Sequence, residues 1–313
     1  MYTPLSIFSG NANRPLAEAI CLDLGIPLGH ADVFAFSNEN IFVKILDPVR
    51  EHDVYVLQSF SSPVNNSIME LLIMIDALKR ASAGRITAII PYYAYGRTDK
   101  KDQPRVPITA RLLADLLTVA GANRVLTMTL HAGQIQGFFN IPVDELSAMA
   151  LLSRYFKDKQ LADWVIVAPD LGAAKKARNF GQRVGGTLAV IEKRRPSNVG
   201  QSEVVNVIGD VNGRRAIIFD DEIDTASSVI GATNVLVKAG VGEIYVAATH
   251  GIFSGPAIER LQQAPIKEVV VTDTVPLSAE KQLPKITVLS VASLFAEAIQ
   301  RIHAGGSVGA LFR

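Results

Sequence analysis

Short apolar segments alternate with longer amphipathic segments along the whole chain. In the first half, the apolar runs favour strands because they are rich in β-branched and aliphatic residues, and they lie at 5–8, 53–58, 86–91 and 124–130. Between them, apolar residues recur at the spacing of one helix face, which predicts helices over 15–24, 68–83 and 108–120. The first half therefore predicts repeated strand–helix units.

The same alternation recurs in the second half. Strands are predicted at 164–168, 187–191, 216–219, 243–248, 269–272 and 286–289. Helices are predicted from 172 onward and over 227–239, 256–263 and 293–303. Strands that alternate with helices of this length are typical of βαβ units and parallel sheets. Because the first series of units ends near 143–149, we predict two domains, 1–146 and 147–313.

Composition narrows the class of protein. Of 313 residues, 49% are apolar and 19% are charged, which is typical of a chain with a packed core and not of a disordered one. Lys and Arg total 31, Asp and Glu total 30, and the net charge is +1. This balance argues against a broad basic surface for nucleic acid, so we expect no nucleic-acid partner.

Hydropathy and cysteine content indicate the compartment. No run of roughly 18 or more uncharged apolar residues is present, which predicts no membrane span and no membrane partner. Residues 1–10 lack the cationic and apolar regions of a signal peptide. The chain has one cysteine, Cys21, so no intramolecular disulfide is possible. These features lead us to expect a cytoplasmic protein.

The most informative segment is 216–228, which reads AIIFDDEIDTASS. Asp220 and Asp221 follow a predicted buried strand, and ligands of open α/β sheets bind at the carboxyl ends of strands. A turn follows that is rich in small and hydroxyl residues, and it opens a predicted helix. Backbone N–H groups at such a helix start hold phosphates. Carboxylates beside them accept hydrogen bonds from vicinal hydroxyls, so the segment predicts a sugar-phosphate site.

Helix capping is the alternative interpretation of this segment, because Asp, Thr and Ser all cap helices well. Capping does not require so many carboxylates in one turn, and concentrated like charges are destabilising there. A ligand or metal site is therefore the favoured interpretation.

The 216–228 run resembles the phosphoribosyl-diphosphate-binding signature of type I phosphoribosyltransferase folds. Matching segments lie at 36–39, 58–59, 69–72, 99–102, 107–108, 130–132, 134–139, 169–170, 193–196 and 249–255, with Asn66, Tyr95, Arg97 and Arg105 between them. Together they cover essentially the whole chain, which is similar to the ribose-phosphate diphosphokinase family, whose members synthesise phosphoribosyl diphosphate.

The resemblance implies a fold, an activity and partners. The fold class is α/β, with two similar phosphoribosyltransferase type I domains, each a mainly parallel sheet flanked by helices. The family transfers the diphosphoryl group of ATP to the anomeric hydroxyl of ribose 5-phosphate, giving 5-phosphoribosyl 1-diphosphate and AMP for nucleotide biosynthesis. Mg²⁺ is the implied cofactor, ATP and ribose 5-phosphate are the implied substrates, and a homohexamer is the implied assembly.

By the same resemblance, site residues are expected in both domains. The expected ATP-binding residues lie in an adenine-side loop and in a charged flexible loop of the first domain: Phe36, Asn38, Glu39, Asn40, Arg97, Thr98, Asp99, Lys100 and Asp102. The ribose-5-phosphate-binding residues are expected in the second: Asp220, Asp221, Asp224, Thr225, Ala226, Ser227 and Ser228. The expected metal ligands are His131 and Asp170.

The KRRP run at 193–196 carries the implied catalytic residues, Lys193 and Arg195. Negative charge develops on diphosphate oxygens during transfer, and positioned cations stabilise it. Lys193 and Arg195 alternate along an extended segment, so their side chains share one face. A solvated basic run is the interpretation that the KRRP letters alone would favour.

Two other functions stay open. A catalytically weak regulatory or binding homologue is suggested by departures from the family pattern at Asn40, Thr98, Thr129 and Ser227. Retention of both the cations and the carboxylates opposes it. A phosphoribosyltransferase that consumes phosphoribosyl diphosphate shares the 220–228 motif, but such enzymes usually have one domain.

Overall fold

Both halves of the chain fold into the parallel sheets that the alternating pattern predicts. The computed structural model describes residues 4–194 and 203–312. Within these ranges the chain separates into two compact units. Unit 1 contains residues up to 147 together with 274–276 and those from 290 onward, whereas unit 2 contains 148–273 and 277–289.

Unit 1 is built on a parallel sheet. Its strands are β1 (Leu5–Ser9), β2 (Ala31–Ala35), β3 (Ile41–Ile45), β4 (Asp53–Leu57), β5 (Arg85–Ile90), β6 (Arg124–Met128) and β7 (Val143–Leu146). The parallel sheet has the order β1-β4-β5-β6-β7, while β2 and β3 form an antiparallel hairpin. The first helices are α1 (Arg14–Leu24), α2 (Val64–Arg80) and α3 (Thr109–Ala120).

The core of unit 1 explains why these elements form. Every residue of β4 is buried, as parallel strands covered on both faces require. Helix α2 buries one stripe at helical spacing, made of Ile68, Leu71, Met74, Ile75 and Leu78. The sequence therefore predicts this helix correctly, and the structure begins it earlier, at Val64.

Unit 2 contains the second sheet. Its helices are α4 (Met149–Asp158), α5 (Ala174–Val184), α6 (Ser227–Lys238) and α7 (Ala257–Gln263). Its strands are β8 (Trp164–Ala168), β9 (Thr187–Arg194), β10 (Glu203–Ile208), β11 (Arg215–Ile223), β12 (Glu243–Gly251), β13 (Glu268–Thr272) and β14 (Ile286–Leu289). Their order is β10-β9-β8-β11-β12-β13-β14, and the β9–β10 pairing is antiparallel. The predicted α/β class with mainly parallel sheets is confirmed.

The end of the chain returns to unit 1. Helix α8 (Ala292–His303) packs beside α1, where Ser293 Oγ donates to Asp23 at 2.7 Å. A short 3-10 helix, Val308–Phe312, follows it. The single boundary near residue 146 that the sequence predicts does not describe this return. No helix in the described residues is long and apolar enough to cross a membrane.

Strand β11 is longer than the sequence predicts. The expected strand was 216–219, with the acidic pair just beyond it, but β11 runs to Ile223 and includes both Asp220 and Asp221. The strand is longer because its pairing with β12 continues beyond its pairing with β8. Its register with β8 stops at Ile218, whereas its register with β12 continues to Ile223. The acidic pair therefore lies on a strand segment that has a neighbour on the β12 side alone.

Candidate active site

The strand order of unit 2 reverses between β8 and β11. From β8 the chain continues to β9 on one side, and from β11 it continues to β12 on the other. Such a reversal leaves a crevice at the carboxyl ends of the two strands, where open α/β sheets bind their ligands. Asp170 follows β8 and the turn at 224–228 follows β11. The fold of unit 2 thus brings these predicted residues to one edge of its sheet.

The acidic pair is held by its own backbone. The N–H of Asp221 donates to Asp220 Oδ1 at 2.9 Å, and the N–H of Glu222 donates to Asp221 Oδ1 at 3.0 Å. Burial raises the pKa of Asp220 well above the usual range of an aspartate, and the charges of Asp221 and Asp170 raise it further. A cation or a set of hydroxyl donors would relieve this concentration of carboxylates.

A lysine that no sequence motif marks contacts this pair. Lys176 on α5 lies with its Nζ 3.4 Å from Asp221 Oδ2, and the Asp221 side chain is only 7% exposed. The Lys176 side chain is 40% exposed, so it presents a partly hydrated cation at the sheet edge. Its position in a helix after Asp170 was the available signal, but sequence spacing does not show which strand that helix covers.

The loop after β8 is tight. Asp170 Oδ1 accepts a hydrogen bond from the N–H of Ala173 at 3.1 Å. A Cβ atom at Gly172 would lie 3.2 Å from that same oxygen, so glycine suits the close approach. The Asp170 side chain is exposed, which leaves it accessible to a ligand at this edge.

The turn after β11 is not a conventional cap. Ala226 occupies the N-cap position of α6, and its methyl side chain has no capping oxygen. Its φ of 60° is left-handed, a conformation that is uncommon outside glycine. Thr225 Oγ1 and Ser227 Oγ lie 3.0 Å apart. None of the polar residues of this turn serves as the N-cap, which weighs against the capping interpretation.

The two implied catalytic cations lie at the limit of the described chain. Lys193 belongs to β9, where its backbone is paired in register with Val204 of β10. Arg195 lies outside the described residues. The roles of Lys193 and Arg195 stay predictions.

In unit 1, His131 follows β6 at the carboxyl edge of the sheet and is exposed. The segment around it is held by Glu145 of β7, which accepts the N–H of Leu130 at 2.9 Å and the side-chain amide of Gln136 at 2.5 Å. A Cβ atom at Gly96 would lie 3.3 Å from the Cβ of His131. The charged loop, which carries Arg97 to Asp102, therefore begins close to His131.

The charged loop of unit 1 separates into anchors and exposed groups. Thr98 Oγ1 donates to the carbonyl of Tyr95 at 2.7 Å. Asp99 is buried and accepts from Gln134 Nε2 at 2.6 Å. By contrast, the exposed residues of the predicted ATP set in this loop are Arg97, Lys100 and Asp102. The anchoring contacts of Thr98 and Asp99 were not predicted from the sequence.

The other predicted ATP-binding residues form the turn of the β2–β3 hairpin. The N–H of Phe36 donates to the carbonyl of Asn40 at 2.9 Å, and Asn38 Oδ1 accepts the N–H of Asn40 at 3.2 Å. Glu39 has a φ of 67° within this turn. The Phe36 ring is 51% exposed and contacts the rings of Phe34 and Phe42. This aromatic surface can stack a purine.

The described residues contain no group of three or more His, Cys, Asp or Glu side chains placed to hold a metal ion. Proteins commonly bind Mg²⁺ through one or two carboxylates together with substrate phosphates and water, so Mg²⁺ binding does not require such a group. Asp170, whose charge raises the pKa of Asp220, is an exposed carboxylate at this edge of the sheet.

Comparison with known proteins assigns the family. Residues 5–121 match the N-terminal domain of ribose phosphate pyrophosphokinase, and residues 196–313 match the phosphoribosyl synthetase-associated domain. A ribose-phosphate pyrophosphokinase of Caldanaerobacter subterraneus subsp. tengcongensis is 56% identical over 310 residues, which is 98% of each chain. The chain belongs to the ribose phosphate pyrophosphokinase family. Pyrophosphokinase and diphosphokinase name the same activity, so the family expected from the sequence is confirmed.

More distant pyrophosphokinases match equally completely. The ribose-phosphate pyrophosphokinase of Deinococcus radiodurans is 49% identical over 315 residues, or 99% of this chain and 98% of the relative. The crystal structure of phosphoribosylpyrophosphate synthetase from Mycobacterium smegmatis superimposes with a TM-score of 0.92 at 43% identity, covering 97% of this chain and 100% of that one. The expected two-domain fold of the family is therefore confirmed along with the family itself.

Proposed function

We propose that this chain is a ribose-phosphate diphosphokinase. The anomeric oxygen of ribose 5-phosphate forms a bond to the β-phosphorus of ATP, and the bond between that phosphorus and the α,β-bridging oxygen breaks. The electron pair leaves with the α-phosphate as AMP, and the hydroxyl proton is released. The observation that carries the proposal is the acidic pair followed by the 224–228 turn. Both lie where the strand order of unit 2 reverses, between β8 and β11.

The ribose 5-phosphate site is proposed at this edge of unit 2. Asp220 and Asp221 accept hydrogen bonds from the ring hydroxyls of the sugar. The 5-phosphate lies against the turn of Asp224, Thr225, Ala226, Ser227 and Ser228, where the start of α6 supplies backbone N–H groups and positive dipole. Two observations support this arrangement, namely the raised pKa of Asp220 and the left-handed N-cap at Ala226.

ATP binding is proposed for the exposed residues of unit 1. The ring of Phe36 stacks on the adenine, and Asn38, Glu39 and Asn40 line the same turn. Arg97 and Lys100 pair with phosphate oxygens, because a guanidinium and an ammonium both suit phosphate recognition. Thr98 and Asp99 hold this loop in place through their contacts with Tyr95 and Gln134, and Asp102 lies on its exposed side.

Electrostatic stabilisation is the proposed source of the rate. Lys193 and Arg195 bind the oxygens of the diphosphoryl group, where charge builds during transfer. His131 and Asp170 are the proposed Mg²⁺ ligands, and bound Mg²⁺ neutralises phosphate charge. The protein's own part is to orient the sugar hydroxyl and the diphosphate in line, which turns a two-substrate reaction into one of fixed geometry.

The same proposal covers the assembly and setting of the enzyme. A homohexamer is carried over from the family resemblance. A cytoplasmic location is carried over from the hydropathy and cysteine content, and a functional division near residue 146 from the point where the first series of strand–helix units ends. The comparisons give no support to the regulatory homologue, since the relatives quoted above carry the name of the enzyme and match over essentially the full length of the chain.

The test is an assay for AMP. The purified full-length chain is incubated with Mg²⁺ and ATP, with and without ribose 5-phosphate. We expect AMP and phosphoribosyl diphosphate in equal amounts, and AMP release that requires the sugar phosphate. The absence of AMP with several nucleoside triphosphates and several divalent metals would overturn the proposal.

A further inference from the structure

An arginine outside the family motifs contacts the 224–228 turn. Arg260 on α7 donates through Nη1 to the carbonyl of Thr225 at 2.9 Å. The same nitrogen donates to Ser227 Oγ at 2.7 Å. One guanidinium nitrogen therefore joins the residues on both sides of Ala226.

These contacts hold a strained part of the chain. Ala226 has the left-handed φ of 60°, and a residue in that conformation persists when its surroundings fix it. Ser227 Oγ lies 3.0 Å from Thr225 Oγ1, so the hydroxyl of Ser227 contacts both Thr225 and Arg260. The side chain at position 227 is thus part of what shapes the turn.

The other end of the turn is held by the residues that precede α7. The N–H of Ser254 donates to the carbonyl of Asp224 at 3.0 Å. Ser254 Oγ also donates to the Asp224 carboxylate. Ser254 and Arg260 therefore fix the turn at its start and at its end, and both contacts come from one short segment of unit 2.

The charge of Arg260 has no counter-ion within residues 4–194 and 203–312. No carboxylate pairs with it there, and its Nε and Nη2 groups make no hydrogen bond to a described residue. Arg260 is nevertheless partly buried. A guanidinium carries five N–H donors and prefers carboxylate or phosphate partners. A guanidinium without a counter-ion among the described residues, beside the 224–228 turn at the start of α6, indicates an anionic ligand.

We propose that Arg260 is a positioning residue for the 5-phosphate site. Through Ser227 and Thr225 it holds the turn in the shape that receives the phosphate, and its remaining donors complement the phosphate charge. This inference rests on the proposed function, because that function places ribose 5-phosphate at this turn. It adds a residue that sequence motifs do not reveal and gives a role to the serine at position 227.

The test compares Arg260→Ala, Arg260→Lys and Ser227→Ala with the wild type. Binding of ribose 5-phosphate is measured by calorimetry, and KM is measured for each substrate. We expect Arg260→Ala to raise the KM and Kd for ribose 5-phosphate on the order of tenfold or more, as loss of charged hydrogen bonds does. The KM for ATP should stay within about twofold. Arg260→Lys, which retains the charge, should restore part of the affinity.

Ser227→Ala tests the contact itself with a smaller change. We expect a severalfold rise in KM for ribose 5-phosphate alone, and little additional rise when the substitution is placed in the Arg260→Ala background, because coupled residues are not additive. Arg154→Ala on the exposed face of α4 is the matched control and should change neither KM. Thermal unfolding of each variant shows whether the fold is retained.

The outcomes separate the two proposals. If the wild type releases no AMP in a sugar-dependent manner, the proposed function fails. If the wild type is active but folded Arg260→Ala keeps its affinity for ribose 5-phosphate, the inference fails. Equal rises in the KM for both substrates, or fully additive effects of the two substitutions, would also overturn it.

Discussion

Lys176 on α5 forms an ion pair with Asp221 on β11, with 3.4 Å between Nζ and Oδ2. The pair joins α5, the helix that follows β8, to β11, the strand on the other side of the reversal in strand order. It brings a cation to a carboxylate cluster in which burial and neighbouring charge raise the pKa of Asp220. Lys176 therefore places a positive charge beside Asp221, one of the two carboxylates proposed to accept hydrogen bonds from the sugar hydroxyls.

Lys176→Met should weaken use of ribose 5-phosphate. The pair is partly exposed, and such pairs contribute up to about 1 kcal/mol, so we expect kcat/KM for the sugar phosphate to fall by about two- to fivefold. Lys176→Arg should retain most of the activity. Lys175→Met is the matched control, because Lys175 is the exposed neighbour on the same helix. Equal effects of Lys175→Met and Lys176→Met would contradict a specific role for the ion pair.

Lys193→Ala should reduce turnover far more than binding. A positioned cation that acts on the transition state contributes on the order of a hundredfold or more to kcat. The Kd for ribose 5-phosphate should stay within about twofold, since the sugar site is proposed elsewhere. Lys238→Ala at the exposed end of α6 controls for loss of surface charge. An unchanged kcat would remove Lys193 from the catalytic role.

Phe36→Ala should weaken ATP binding. Stacking of a base on an aromatic ring is worth about 1–3 kcal/mol, so we expect the KM for ATP to rise on the order of tenfold while the KM for ribose 5-phosphate is unchanged. Leu22→Ala on α1, which removes an apolar side chain that is 81% exposed, is the control. A KM for ATP that does not respond to Phe36→Ala would contradict the proposed adenine site.

Asp53 is the centre of a buried charge network in unit 1. Its fully buried carboxylate accepts from Arg85 Nε at 2.7 Å and is 2.7 Å from His303 Nδ1 on α8. Burial raises the pKa of Asp53, but the hydrogen bonds from Arg85 and His303 outweigh it, and the net pKa is below the usual value. The network connects β4, β5 and α8, so it stabilises the return of the chain to unit 1.

The stability of the protein should depend on pH through Asp53. Because the folded-state pKa is lowered, the stabilisation is present above the unfolded-state pKa of about 3.9 and is lost as pH falls through the lower folded value. Asp53→Asn should therefore reduce the free energy of unfolding by about 3 kcal/mol near neutral pH. The difference from wild type should shrink below about pH 4, as measured by urea unfolding at several pH values.

Asp76→Asn provides the control for this pH dependence. Asp76 also pairs with an arginine, Arg80, but both side chains are exposed. Its substitution should leave the pH dependence of unfolding close to that of the wild type. Parallel stability curves for wild type and Asp53→Asn from neutral to acid pH would show that Asp53 does not carry the effect.

The sequence predicts elements best where a continuous apolar run is buried on both faces. Strand β8, every residue of which is buried, has the predicted bounds. Strand β14 also has the predicted bounds, although its residues are only partly buried or exposed. The β2–β3 hairpin was missed because its side chains alternate between partly buried and exposed, so no continuous apolar run marks it. The predicted end of β11 was too early because carboxylates rarely occupy a strand, and here pairing with β12 continues past them.

The residues of the candidate site also differ in how far the sequence reveals them. Asp170 and Asp220 were predicted because strand ends and motif letters mark them in the sequence. Lys176 and Arg260 were not, because each lies on a helix whose contact with the site depends on how that helix packs. Spacing along one chain carries no information on that packing, so these contacts become visible in the structure alone.

The most direct measurement follows phosphorus through the reaction. The protein is mixed with Mg²⁺, ATP and ribose 5-phosphate, and the products are resolved by ³¹P NMR. Transfer of an intact diphosphoryl group predicts AMP and a sugar 1-diphosphate in equal amounts, with no ADP. Formation of ADP with a singly phosphorylated sugar product, or no sugar-dependent consumption of ATP, would contradict the account.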